Sequence, residues 1–404
     1  MNILHTSDWH LGQNFKSRSR KDEHQQFLSW LIKEINLNNI DILIIAGDIF
    51  DTTNPPNYAL KMYHNFLASI IKTTCKNIII VAGNHDSIST LEITKDMIKP
   101  LGVHIVASGE NIDETIVPIR NENEEIKAIV CAVPFLRDKV IRDANKTYNN
   151  SEIEKEFKDG IKSYYQKVYN IAKKLSSEVP IIATGHFTTT GATINPNSER
   201  EIYIGKLQNI DSDILSMFDY VAMGHIHKAQ KIGKNDNIRY SGSPIALSFS
   251  EYNQQKSIVK INFDKKDKEI KTIDIPCFKN IVRIEGDIDE VKSNINKVKD
   301  INNRPFIEVV LTNNSILNID IKDFIKESFE LGVDVIAIKR KNEIIDKVLN
   351  DDTIDIRLNE LNPLSVFEKR MEQEEYIIDN IDLKEKLILN YKNILQEIEE
   401  NENK

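Results

Sequence analysis

The strongest constraint on this fold is a pattern that the chain repeats. A short apolar run ends abruptly in a side chain able to hold a metal ion or move a proton. In Asn77-Ile-Ile-Ile-Val-Ala-Gly-Asn-His-Asp86 the apolar residues Ile78 to Val81 form a run too short for a helix, which predicts a buried strand. Gly83 then lets the backbone turn sharply. Asn84, His85 and Asp86 follow at once. Asparagine offers a neutral oxygen, histidine a nitrogen that ligates or transfers a proton, and aspartate a carboxylate to orient it. Taken singly, such a trio is an ordinary turn as readily as a site.

The repetition changes that balance. Residues 2–8 run into Trp9 and His10, residues 41–48 end in Asp48, residues 180–186 end in His186, and residues 220–225 end in His225 and continue to His227. These strand ends deliver Asp8, His10, Asp48, Asn84, His85, His186, His225 and His227, which include five of the chain's nine histidines. The others, His5, His24, His64 and His104, lie inside predicted strands or helices and read as structural.

Aspartate, asparagine and histidine without cysteine form a hard-to-borderline ligand set, suited to Mn²⁺, Fe²⁺ or Zn²⁺. Seven ligands exceed the needs of one ion. Two ions about 3.5–4 Å apart use them all. Asp48 is the natural bridge because a carboxylate has two oxygens. One ion would take Asp8, His10, Asp48 and His227; the other would take Asp48, Asn84, His186 and His225. His85 is left to protonate or stabilise a departing oxygen, with Asp86 expected to orient it. Phosphoester hydrolysis follows from these residues; the substrate does not.

Between the strand ends, apolar residues recur at helical spacing over residues 21–37, 57–72, 90–99 and 161–175. Strands alternating with helices, followed by shorter strands, predict an α/β layered domain with mixed sheets flanked by helices. A stretch rich in Lys, Asp and Glu at 263–271 marks a change of composition. The expected organisation is a catalytic domain over 1–275, a small α+β domain over 276–342 with β-α-β-α-β order, and a helical tail over 343–404.

The formal net charge of −9 argues against a simple basic DNA-binding module. The acidity sits mostly in the tail, where residues 341–404 carry 17 acidic against 9 basic side chains. No apolar run approaches membrane-spanning length, and the N-terminus lacks the basic-then-apolar pattern of a secretory signal. Cys75, Cys131 and Cys277 have no metal spacing; Cys75 and Cys131 read as buried thiols in a reducing cytoplasm.

Asp8-Trp-His10, Gly47-Asp-Ile-Phe-Asp51, Gly83-Asn-His-Asp86, Gly185-His186 and Gly224-His-Ile-His227 resemble, in order, the five motifs of calcineurin-like metallophosphoesterases. The longer strings Leu4 to Phe15, Gly47 to Pro56 and Arg239-Tyr-Ser-Gly-Ser-Pro244 are similar to the bacterial SbcD nuclease subunits within that superfamily. The resemblance covers residues 1–255 strongly and the small second domain more loosely. It implies a metallophosphoesterase sandwich and manganese-dependent hydrolysis of DNA, as double-strand exonuclease, single-strand endonuclease and hairpin opener. It implies a partner, an SbcC-type coiled-coil ATPase in a two-plus-two assembly, and a capping role for the second domain. It also implies a homodimer contact from the helices at 57–72 and 90–99, where Tyr63 and Met97 are candidates, and a DNA or ordering role for 200–205 and 239–244. The apolar residues of the acidic tail, among them Leu361, Phe367 and Ile381, suggest a docking element. Two other readings remain open at this point. One is a phosphatase or cyclic-nucleotide phosphodiesterase on the same scaffold; the other is an assembly subunit whose chemistry is secondary.

Overall fold

The protein is described by a computed structural model over residues 1–144, 153–193, 210–233, 236–312 and 321–340, with Leu387 and Tyr391. The chain divides into two units, Met1–Arg340 and Lys341–Lys404. The tail at 343–404 and the 200–205 segment lie outside the described residues, apart from Leu387 and Tyr391.

Strand β1 (Asn2–Thr6) leads through a small hairpin, β2 (Asn14–Phe15) and β3 (Arg18–Ser19), into helix α1 (Lys21–Leu37). The alternation continues with β4 (Ile42–Ala46), α2 (Asn57–Ile70), β5 (Asn77–Val81), the short helices α3 (Ile88–Glu92) and α4 (Lys95–Ile98), and β6 (Val103–Val106). β1, β4, β5 and β6 are parallel neighbours. Parallel strands need a crossover, and the helices supply it.

A second sheet follows from β7 (Ile116–Arg120), β8 (Ile126–Cys131), α5 (Asp138–Ala144), α6 (Ile153–Leu175), β9 (Ile181–His186), β10 (Tyr220–Gly224), β11 (Gln230–Lys231) and β12 (Ile238–Tyr240). Its order is β11-β12-β10-β9-β8-β7, with β8, β9, β10 and β12 parallel. The hairpin of β13 (Ser257–Asp264) and β14 (Asp267–Asp274) then returns to the first sheet, where β13 lies antiparallel to β1.

The two sheets pack face to face. Ile3, Ile42, Ile44 and Ile79 from the first meet Val130, Ile182 and Ala222 from the second. The opposite face of the first sheet, with Leu4, Leu43, Ile45 and Ile78, is covered by Phe27, Leu31, Phe66 and Ile70 of α1 and α2. The outer face of the second, with Ile129, Ala183 and Met223, is covered by Tyr165, Val168 and Ala172 of α6. Ile42 to Ile45 are apolar at every position because alternate side chains enter two different cores. Each such side chain, fully buried, is worth about 1.5–3 kcal/mol. The result is a helix–sheet–sheet–helix sandwich, the expected α/β layered fold.

Three details differ from the sequence expectations. Residues 90–99 form two short helices instead of one, because Thr94, following β-branched Ile93, leaves helical geometry at φ −111°, ψ 0°. The charged stretch at 263–271 is the tip and exposed face of the β13–β14 hairpin, turning at Lys265 with φ 55°. Tyr63 is core, packed against Phe50, whereas Met97 is exposed.

A third sheet follows, formed by β15 (Ile281–Gly286), β16 (Phe306–Leu311) and β17 (Asp334–Arg340), with α7 (Ile288–Val298) and α8 (Ile321–Glu330) between them. All three strands are parallel, in chain order. α7 starts with a reciprocal cap: Asp287 accepts from the Asp289 and Glu290 amides, and Glu290 accepts from the Asp287 amide. Val291, Ile295 and Phe324 cover one face of the sheet against Ile307 and Val309. On the other face Phe306 and Ile281 meet Phe15 and Phe249. There Arg18 of the β2–β3 hairpin grips Asp334 with two hydrogen bonds of 2.7 and 2.9 Å. The hairpin that leaves His10 thus meets the third sheet directly.

Candidate metal centre

The carboxyl ends of β1, β4 and β5 in one sheet, and of β9 and β10 in the other, open on one common edge. Each chain turns there under tight steric limits. A side chain on Gly47 would come within 2.3 Å of His186 Nδ1, and one on Gly83 within 2.1 Å of Asp48 Oδ1. Only glycine fits either position. Asp8 (φ 54°), His10 (φ 46°), Asp48 (φ 50°) and His225 (φ 93°) all adopt positive φ, which non-glycine residues rarely do. Such strain persists where the surrounding structure holds it, and functional sites are where it collects.

All seven candidate ligands come together. Asp48 Oδ2 lies 3.6 Å from His10 Nε2 and 3.2 Å from His186 Nε2, at the middle of the cluster. Asp8, His10 and His227 bring their ligating atoms close on one side. On the other, Asn84 Oδ1 stands 3.0 Å from His186 Nε2 and 3.2 Å from His225 Nδ1. His186 Nδ1 faces the Ala46 carbonyl at 2.9 Å, which turns Nε2 toward Asp48. The Asp8 carboxylate is fixed by the His225 amide at 2.8 Å and by the Ser7 hydroxyl, itself 2.7 Å from Ser241.

The electrostatics are those of a site built to hold positive charge. Burial would lower the His186 pKa, but the Asp48 and Asp8 carboxylates push it up to about 9. Burial would raise Asp48, but the His186 and His10 charges hold its carboxyl well below the usual range. Burial, with the His186 charge beside it, drives His225 down to about 3. His10 is fully buried, yet neither ring nitrogen has a well-directed hydrogen bond, although Asp51 Oδ1 lies 3.3 Å from Nδ1. Buried polar atoms are seldom left so. Donor set, spacing and these unsatisfied nitrogens fit a pair of divalent cations.

His85 sits beside the cluster, its ring 4.8 Å from that of His10. Its Nδ1 lies 2.7 Å from the Asp51 carbonyl, and its amide donates to Asp48 Oδ1 at 2.9 Å. Asp86, expected to orient His85, serves otherwise. Its buried carboxylate accepts from the Gly83, Ile49 and Phe50 amides at 2.8–3.1 Å and ties two site loops together. Burial first, and the Asp48 charge second, push its pKa up to about 6. Of the histidines read as structural, His5 bridges the two sheets by contacts to Tyr220 Oη and the Met223 carbonyl, and His24 is buried under the site on α1. Sequence reading missed the Asp51 carbonyl, Ser7 and the buried pair Glu251–Lys256 behind His227. Asp51 lies within the Gly47 to Asp51 motif, but nothing in the spacing singles out its backbone.

Residues 1–229 match the family described as Calcineurin-like phosphoesterase, and residues 277–375 match the Type 5 capsule protein repressor C-terminal domain. The SbcD chain of the SbcCD nuclease of Escherichia coli strain K12 is 37% identical over 381 residues, covering 93% of this chain and 94% of that one. Its Rhodobacter capsulatus counterpart is 31% identical over 259 residues, covering 62% and 64%. The counterpart in Bacillus subtilis strain 168 is 30% identical over 267 residues, covering 65% and 66%. With a five-motif centre at the edge of a two-sheet sandwich, and with these matches, the chain belongs to the SbcD nuclease subunits of the calcineurin-like phosphoesterase family.

Proposed function

We propose that this chain hydrolyses DNA phosphodiesters as the nuclease subunit of an SbcCD-type complex, acting in recombination, replication and repair. The observation that carries the reading is the position of Asp48 Oδ2 between His10 and His186, with the other candidate ligands arrayed on its two sides. Asp8, His10, Asp48 and His227 would hold one ion, and Asp48, Asn84, His186 and His225 the other. When bound, two Mn²⁺ ions, or Mg²⁺ or another divalent ion, polarise the phosphate and supply activated water at neutral pH. His85 Nδ1–H donates to the Asp51 carbonyl, which fixes the ring; in the doubly protonated imidazolium, Nε2–H would give its proton to the departing oxygen and leave the neutral Nδ1–H imidazole. Asp86 keeps the loops carrying Asp48 and His85 in register through its three amide contacts.

The finer activities proposed are 3′–5′ double-strand exonuclease, single-strand endonuclease and hairpin opening. The parts proposed are a catalytic domain over 1–275, a cap over 276–342 that shapes the DNA groove, and a tail over 343–404 that docks an SbcC-type ATPase in a two-plus-two assembly. Because net charge is −9, much of the DNA affinity is assigned to the partner. Two copies of this chain are proposed to pair through Ile93, Met97 and Leu101, which are 79%, 72% and 51% exposed. Among the described residues no helix is long and apolar enough to cross a membrane, and the proposed location is the cytoplasm.

The test is cleavage of a labelled DNA hairpin against hydrolysis of a plain aryl phosphate ester, both with Mn²⁺. Hairpin cleavage lost in Asp48→Ala supports the reading. Hydrolysis of the aryl ester alone favours a phosphatase, and metal-independent DNA binding without turnover favours an assembly subunit.

A further inference from the structure

Behind His227 lies a buried group of charges that the proposed chemistry does not use. Glu251, 1% exposed, and Lys256, 8% exposed, form an ion pair in the segment that joins β12 to β13. Glu251 Oε1 stands 3.8 Å from His227 Nδ1 and accepts from the Ser248 hydroxyl at 3.1 Å. Its Oε2 accepts from Lys256 Nζ and from the Leu247 amide at 3.3 Å. Lys256 Nζ also donates to the His227 carbonyl at 3.1 Å and to Ser243 Oγ at 3.0 Å. The Ser243 amide donates to that same carbonyl at 3.1 Å.

A buried ion pair is weak support for stability, since well-packed apolar residues of the same volume often serve as well. Here both partners address one residue: the carboxylate faces the ring of His227 and the ammonium holds its carbonyl. A histidine ligand is defined by what its second nitrogen meets, because that contact fixes the tautomer and the ring plane. A carboxylate beside Nδ1 keeps the proton there and leaves Nε2 bare.

We propose that Glu251 is a positioning residue for His227, holding the proton on Nδ1 and presenting Nε2 to Asp8 and His10, while Lys256 and Ser243 fix the carboxylate and the His227 backbone in one arrangement. The inference rests on the metal-centre reading above. It also gives the Arg239-Tyr-Ser-Gly-Ser-Pro244 string an ordering role at the site, through Ser243.

The experiment is Mn²⁺ titration calorimetry on the full chain, beside the melting temperature in EDTA, for the parent, Glu251→Gln, Glu251→Asp and Glu251→Gln/Lys256→Gln. Glu251→Gln should weaken one of the two ions roughly 10–100-fold and leave the other unchanged. Glu251→Asp, which keeps a charge for Lys256 but withdraws it from the imidazole, should weaken the same ion. The double variant, with no unpaired ammonium, should recover most of the metal-free melting temperature but not the metal affinity. Parental affinity for both ions in Glu251→Asp or in the double variant would overturn the inference, because the pair would then serve the loop alone. A parent chain that binds no pair of ions would overturn the metal-centre reading, and this inference with it.

Discussion

At the scale of single residues, the proposed roles separate groups that hold a metal ion from one that moves a proton. Asp48 touches both halves of the cluster, whereas His85 is tied to the Asp51 carbonyl and lies to one side. His85→Gln is therefore expected to bind two Mn²⁺ ions nearly as the parent does and to lose hairpin cleavage by about 10²–10⁴-fold. Asp48→Ala should lose metal and cleavage together. Elemental analysis beside a cleavage assay distinguishes the two, and a His85→Gln protein short of one ion would refute the division of labour. The His186 pKa of about 9 adds a pH prediction. A ligating histidine must be unprotonated, so metal uptake near pH 7 should release a proton from His186, and apparent affinity should rise with pH up to about 9. Calorimetry in buffers of different ionisation enthalpy measures that proton; none released would show that His186 is neutral before the metal arrives. A second pH effect comes from His5 and His24, both lowered to about 3 mainly by burial. Above pH 6.5 each is neutral in folded and unfolded chains alike, and its full contribution is present. Between 6.5 and 3 the unfolded chain takes up the protons and the folded one does not. Each histidine thus lowers stability by about 1.4 kcal/mol per pH unit across that window. His24→Leu should lose less melting temperature than the parent between pH 7 and 4.5, measured in EDTA.

At the scale of elements, legibility follows how local the cause is. β4, β5, β9 and β10 announce themselves because strands buried on both faces are apolar at most positions and run to a glycine or a polar residue. The candidate ligands at their ends are legible for the same reason. The β13–β14 hairpin is not, since β14 is largely exposed and reads only as a charged change of composition; its role depends on β1, more than 250 residues earlier by sequence register (Asn2 against Asn262). Asp86 reads as the partner of its neighbour His85 because sequence shows adjacency, whereas the carboxylate reaches backbone amides of Ile49 and Phe50. Tyr63 and Met97 look alike as apolar helix residues, and only packing separates them. Ile93 at the end of α3, Met97 on α4 and Leu101 in the turn after it are large apolar side chains left exposed. Met97→Glu should accordingly give a monomer by sedimentation with Mn²⁺ stoichiometry unchanged, and a dimer that survives the charge would place the contact elsewhere.

At the scale of the whole molecule, the proposed division of labour runs along the length of the chain. The first unit ends at Arg340, and its candidate centre draws its candidate ligands from residues 8 to 227. The 64 residues beyond, 341–404, carry 17 acidic and 9 basic side chains yet include Leu358, Leu361, Leu364, Val366, Phe367, Ile377, Ile378 and Ile381. Short helices in water are marginal without an apolar face buried against something else. In the docking role proposed for it, this acidic segment would bury those large apolar side chains against a partner surface. Deleting residues 350–404 should therefore abolish binding of an SbcC-type ATPase in a pull-down or by calorimetry, while the isolated chain keeps its two Mn²⁺ ions and its cleavage of a labelled hairpin. Tight binding retained after the deletion would move the docking surface into residues 1–349. Loss of the metal ions instead would mean that the tail packs on its own chain and supports the centre from there.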